Sequence, residues 1–229
     1  MTPRVVVLAA PSGGGKTTIA KELLRRRPDA FGYSVSATTR RPRAGEKDGE
    51  AYYFLTRGEF QRRVDAGEFL EKAEYAGELY GTLNQEVERV LASGRHVVLD
   101  IEVHGARQVR KVYPRPASVS IFVIPPSPRV LIERLRTRRT ESDEALQQRL
   151  AIAVREVQAA EDDVREAIVF DHIVVNEDLD AAVARVLQIV ENPDDVRHRT
   201  MDMIPLLAEF VGQLELETDQ LRQSARRSR

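Results

Sequence analysis

Residues 10–17 read Ala-Pro-Ser-Gly-Gly-Gly-Lys-Thr, a composition suited to one kind of chemistry. Glycine backbone N–H groups can turn inward around phosphate oxygens, and a helix starting behind them adds the positive end of its dipole. The pattern is that of a Walker A loop, G-x-x-x-x-G-K-[ST], with Ala10 in place of the first glycine. In such a loop Lys16 reaches the β- and γ-phosphates of a nucleoside triphosphate, and the Thr17 hydroxyl ligates Mg²⁺. The expected triphosphate-binding residues are therefore Ala10, Pro11, Ser12, Gly13, Gly14, Gly15, Lys16 and Thr17.

A second group of side chains also suits phosphate. Arg40 and Arg43 stand close together, with Tyr52 and Tyr80 farther along. Two guanidinium groups and two phenols could hold a phosphate dianion, with bidentate contacts from the arginines. Asp100 ends an apolar run. There it could hold Mg²⁺ through water, face a second substrate, or cap the strand end. Glu102 would point the same way if the strand continues. The four histidines, His96, His104, His172 and His198, show no nucleophile-plus-base spacing. Transfer to an anionic phosphate oxygen would need no general base; it depends on positioning and charge stabilisation.

These residues need a scaffold. The run at 5–9, Val-Val-Val-Leu-Ala, suits a strand buried on both faces, and Lys16 to Arg27 reads as a helix stopped by Pro28. The alternation recurs. Val97–Leu99 precedes Asp100, 119–124 is followed by a helix from about Pro128, and 173–175 precedes a helix over about 178–190. Strands alternating with helices predict an α/β fold, a parallel sheet flanked by helices with the phosphate loop after its first strand. Between about Ser34 and Tyr80 the character changes: 34–39 alternates like a solvent-facing strand, 40–50 is a polar loop, and 52–55 and 74–75 read as further short strands. This predicts a small insertion of mixed or antiparallel strands. After Asn192-Pro193, Pro205 suits a first helical turn, and Leu207, Phe210, Leu214 and Leu221 form an amphipathic stripe. That helix should dock on its own domain or pair two copies as a homo-oligomer; the alternative is an interaction tail ending in Arg222, Arg226, Arg227 and Arg229.

Composition narrows the classes further. The chain has 229 residues, 42% hydrophobic and 31% charged, with net charge −1. It is not a polyelectrolyte, so no nucleic-acid partner and no anionic membrane surface are expected. The absence of cysteine excludes disulfides, zinc–thiolate sites and thiol nucleophiles. The apolar runs are too short to span a bilayer, and the N-terminus lacks a secretory pattern, which leaves a cytoplasmic location by elimination.

The stretch 36–46, Ser-Ala-Thr-Thr-Arg-Arg-Pro-Arg-Ala-Gly-Glu, closely resembles the signature of guanylate kinases. Asp48-Gly49 before Tyr52, Glu68-Phe69-Leu70-Glu71 and Tyr80-Gly81-Thr82 extend the resemblance, which covers roughly 4–190. It implies that Lys16, Arg40, Arg138 and Arg149 serve catalysis, that the loop binds ATP, and that Mg²⁺ is held at Thr17 and through water at Asp100. It implies a GMP site of Ser36, Arg40, Arg43, Glu46, Tyr52, Glu71, Tyr80, Gly81, Thr82 and Asp100. The arginines and tyrosines would hold its phosphate, Glu71 would read guanine, and Glu46 would orient the phosphate network. The implied domains are a kinase domain over 3–190, containing a GMP-binding insertion at 35–90 and a helical lid at 128–150 with Arg134, Arg138 and Arg139, and an extension over 192–229. Departures are Thr82 where the family more often has Ser, Glu102 for Asp, His104 for Gln and Arg139 for Gly. The expected reaction is transfer from ATP to GMP and dGMP. Two rivals share the fold: a peptide-binding scaffold, which should have a degraded phosphate loop, and a kinase for another small phosphorylated substrate, which should lack Glu71 and its neighbours.

Overall fold

The apolar run that opens the chain is strand β1 (Val5–Ala9), buried at every residue, as a strand covered on both faces requires. In this computed structural model, residues 2–75, 77–136, 143–166, 168–192 and 203–227 are described. After β1 come α1 (Lys16–Arg26), β2 (Phe31–Tyr33), β3 (Ala37–Thr38), β4 (Tyr53–Phe54), α2 (Arg57–Asp65), β5 (Phe69–Tyr75), β6 (Glu78–Leu83) and α3 (Asn84–Ala92). Then follow β7 (His96–Asp100), α4 (Val103–Val112), β8 (Ser118–Ile124), α5 (Pro128–Arg136), α6 (Asp143–Arg165), β9 (His172–Val175), α7 (Leu179–Glu191) and α8 (Ile204–Arg227). Five strands form one sheet in the order β2-β7-β1-β8-β9, with β2 parallel to β7 and β8 parallel to β9. This is the predicted α/β architecture. A second sheet of four strands runs β4-β3-β6-β5 and is mixed: β3 pairs parallel with β4 and antiparallel with β6, while β5 and β6 form a hairpin.

The chain divides into two compact units, one of Met1–Val7 with Ala20–Val119, the other of Leu8–Ile19 with Ser120–Arg229. The first unit carries the mixed sheet. Ala37, Phe60 and Leu83 form its small core, joined by Tyr53, Leu55, Val64, Phe69 and Leu79, with the Phe60 and Phe69 rings stacked 4.4 Å apart. The second unit carries the glycine-rich loop and the long helices. There α8 packs along α6 and against α5, burying Leu207, Phe210, Val211 and Leu214. Leu207, Phe210 and Leu214 of the stripe read from the sequence are therefore used within the chain, while the Leu221 side chain lies outside what is described.

Two expectations for the insertion need correction. It is not built of strands alone, because α2 lies within it. Its start is fixed by a capping box: Glu59 N–H donates to Thr56 Oγ1 at 3.2 Å, and Thr56 N–H donates to Glu59 Oε2 at 2.9 Å. The segment 34–39 is also no solvent-facing strand. Only Ala37 and Thr38 are in strand conformation, and both are buried because β3 is flanked by β4 and β6.

Candidate functional site

In the second unit, residues 10–15 link β1 to α1, and Lys16 is the first residue of the helix. Gly13 and Gly15 adopt φ of +88° and +99°, a region that side-chain-bearing residues avoid. Gly14 is required for a different reason: a Cβ there would lie 2.7 Å from the Ala10 methyl and 3.0 Å from the Pro11 carbonyl oxygen. Ala10 is thus part of the wall against which the loop closes. Lys16 is half-buried and Thr17 exposed, so the first turn of α1 presents an ammonium, a hydroxyl and free helix N–H groups, a combination suited to phosphate.

Two residues passed over by the sequence reading hold this loop. Asn176, just after β9 and only 6% exposed, donates from Nδ2 to the Gly14 carbonyl at 3.0 Å. Its own backbone carbonyl accepts from Arg134 Nη2 at 3.1 Å. Glu156, on α6, accepts from Ser12 N–H at 3.4 Å. An Asn after a strand reads as an ordinary turn residue, and only the fold brings it to Gly14. Arg134, expected in the lid, is thereby tied to the loop's support. Arg149 lies half-buried on α6, whereas Arg138 and Arg139 lie outside the described residues.

In the first unit Glu71, Tyr80, Gly81 and Thr82 lie in the mixed sheet, Ser36, Arg40, Arg43 and Glu46 in the segments flanking β3, and Asp100 at the end of β7 in the other sheet. Arg40 Nη1 and Nη2 donate to the two carboxylate oxygens of Glu46, each at 3.0 Å. This is the fork-to-fork geometry that fixes a guanidinium in a plane. The same Glu46 takes Arg43 N–H at 2.7 Å, and the two arginine contacts hold its carboxyl below the ordinary range. Arg40 lies 5.4 Å over the Tyr52 ring, and Tyr52 stands edge-on to Tyr80 at 6.1 Å. Thr38, which accepts Arg40 N–H at 3.2 Å, sets where this cluster begins. Ser36 accepts Tyr53 N–H at 2.9 Å through its carbonyl, and its neighbour Val35 N–H is held by Glu86 of α3 at 3.2 Å.

Glu71 sits in β5 opposite Thr82 of β6. It is 5% exposed, and the Thr82 hydroxyl donates to its Oε1 at 2.6 Å. Burial pushes this carboxyl up to about 7, against the two hydrogen bonds from Thr82 and with a further upward push from Glu102. Gly81 leaves no room for a side chain: a Cβ would meet the Phe69 ring at 2.7 Å and the Glu71 carbonyl at 2.9 Å. Asp100 is half-exposed at the end of β7, and, after burial, its charge is the next cause raising the Tyr33 and Tyr52 hydroxyls. His104 is exposed and lines a pocket of about 260 Å³ with Phe60, Lys72, Glu74 and Leu79, none of them an expected acceptor residue.

One unit offers an anion cradle, and the other an arginine–tyrosine cluster beside the sheet that carries the buried Glu71 carboxylate. Among the described residues, no helix is long and apolar enough to cross a membrane. The guanylate kinase of Synechocystis sp. is 49% identical over 187 residues, 82% of this chain and 93% of that protein. The guanylate kinase of Homo sapiens is 44% identical over 198 residues, 86% of this chain and 98% of that protein. The crystal structure of guanylate kinase from Anaplasma phagocytophilum superposes with a TM-score of 0.65 at 33% identity, covering 84% of this chain and 86% of that one. The family description "Guanylate kinase" matches residues 2–193, which include both clusters, and the chain belongs to the guanylate kinase family.

Proposed function

We propose that this protein transfers the γ-phosphoryl group of ATP to GMP, and to dGMP, producing ADP and the guanosine diphosphate. The observation that carries this reading is the buried Glu71 carboxylate, oriented by Thr82, in the sheet that also holds Tyr80 and leads from β3 into the loop of Arg40. Guanine presents N1–H and N2–H₂ as adjacent donors, and an ionised carboxylate accepts both. Adenine has no such pair and would leave the buried carboxylate unmatched, a strongly discriminating error. Ser36, Gly81 and Thr82 complete the base site. Arg40, Arg43, Tyr52 and Tyr80 bind the acceptor phosphate, with Glu46 holding Arg40 and the Arg43 backbone in place beforehand.

The acceptor oxygen is already anionic near neutral pH, so the chain has to orient and neutralise rather than abstract a proton. The loop N–H groups and Lys16 hold the ATP phosphates, and Arg138 and Arg149 stabilise the charge that develops on the transferred group. Magnesium favours one or two protein oxygens beside substrate phosphates. The exposed Thr17 hydroxyl in one unit and the half-exposed Asp100 carboxylate in the other are each an oxygen donor of that kind. When bound, the ion would neutralise charge on the β- and γ-phosphates.

The test is ADP formation with ATP and Mg²⁺ against GMP, dGMP, AMP, UMP and CMP, for wild type and Lys16→Ala. Turnover should be confined to the guanine acceptors and lost in the variant. If ATP binds but no nucleotide acts as acceptor, the peptide-binding reading takes its place; turnover on a different phosphorylated substrate would favour the related-kinase reading.

A further inference from the structure

Gly105 lies in the first turn of α4 and is buried. Its φ is not in the left-handed region, so backbone conformation does not demand glycine there, and glycine weakens a helix relative to alanine. What the position requires is space. A Cβ at Gly105 would lie 2.6 Å from Glu71 Oε2, closer than side chains approach one another, and 3.2 Å from Glu71 Cδ, a tight contact. Glu71 has little freedom to retreat, since its other oxygen is held by Thr82 at 2.6 Å and the residue is almost fully buried.

Three residues on, on the same face of the helix, Gln108 grips the backbone next to Glu71. Lys72 N–H donates to Gln108 Oε1 at 3.2 Å, and Gln108 Nε2 donates to the Lys72 carbonyl at 2.9 Å. Because β5 is the outer strand of its sheet, these Lys72 groups would otherwise be an open edge. The carboxamide of Gln108 occupies them as a neighbouring strand would.

We propose that α4 sets the base selectivity of the acceptor site, with Gly105 as a specificity-determining position and Gln108 as a positioning residue for Glu71. The proposal rests on the reading of Glu71 as the guanine-reading carboxylate. Gly105 admits the Oε2 atom to the place from which a carboxylate can accept two donors at once. Gln108 keeps the strand from sliding that oxygen away.

The discriminating substrate is inosine 5′-monophosphate, which keeps N1–H and lacks the 2-amino group. Gly105→Ala should lower the ratio of kcat/KM for GMP to that for the inosine nucleotide by about tenfold or more, and Gln108→Ala by about threefold in the same direction. The KM for ATP should stay within about twofold in both, because the phosphate-loop interactions are untouched. A general loss of structure would lower both nucleotides together and leave the ratio alone. A wild-type ratio in both variants overturns the proposal; should Gly105→Ala fail to show a cooperative melt, Gln108→Ala decides by itself. Glu71→Gln separates the two layers. If it leaves the ratio unchanged, the reading of Glu71 fails and the proposal falls with it. If it collapses the ratio while the α4 variants do not, the reading stands and the proposal alone is overturned.

Discussion

At the scale of single residues, Glu71 shows how a site stores a cost that its ligand can relieve. Its carboxyl titrates at about 7 rather than at the ordinary 4.5, so between those values the folded chain holds a proton that the unfolded chain has released. Stability must then fall as pH rises through that window, by on the order of 3 kcal/mol in total. Glu71→Gln keeps the shape and cannot ionise. Melting temperatures at pH 5 and pH 8 should therefore show the variant gaining on wild type at the higher pH, and equal differences at both pH values would remove this account of the residue. The importance of position 71 was legible in the sequence only through its motif. Within 68–74, Glu-Phe-Leu-Glu-Lys-Ala-Glu, one acid looks much like the next, and burial comes from the β5–β6 hairpin and from Gly105 of α4. Arg40 and Glu46, close in sequence and joined in a loop, were easier to read.

At the scale of elements, the loop between β1 and α1 was readable because each of its signals is local: a buried strand, three glycines, and a helix start. Its support was not, since Asn176 is 162 positions from Gly14 and nothing in the intervening sequence marks the pairing. Asn176→Ala leaves the Gly14 carbonyl without its buried donor, a loss of roughly 1–3 kcal/mol. We expect the KM for ATP to rise by about tenfold, with the KM for GMP unchanged. Asn176→Asp, which keeps the shape and loses the donor, should behave like the alanine variant. Steady-state kinetics on both decide it, and a normal ATP dependence in both would mean that the loop needs no such tether. The missed helix α2 teaches the same lesson in reverse: its capping box, Thr56 to Glu59, was local and visible, but the strand-like neighbours around it dominated the pattern.

At the scale of the whole molecule, the family match ends at residue 193, yet the helix beyond it is not a loose appendage. In α8, Leu207, Phe210 and Leu214 are buried against α5 and α6. The amphipathic spacing foretold the helix and its apolar face; which surface would cover that face depended on α5 and α6, far earlier in the chain, and could not be read locally. Phe210→Ala should cost about 3–5 kcal/mol of stability, seen as a lowered melting temperature, while preserving turnover per folded molecule at 25 °C. An unchanged melting temperature would mean that α8 contributes no packing energy. The central claim, that phosphoryl moves from ATP to a guanine monophosphate and to nothing else, is tested most directly by following the label. With γ-³²P-ATP, Mg²⁺ and GMP, radioactivity should appear in GDP in step with ADP, with almost none in free phosphate and none in either product for Lys16→Ala. Label released as inorganic phosphate while GMP stays unphosphorylated would contradict the account.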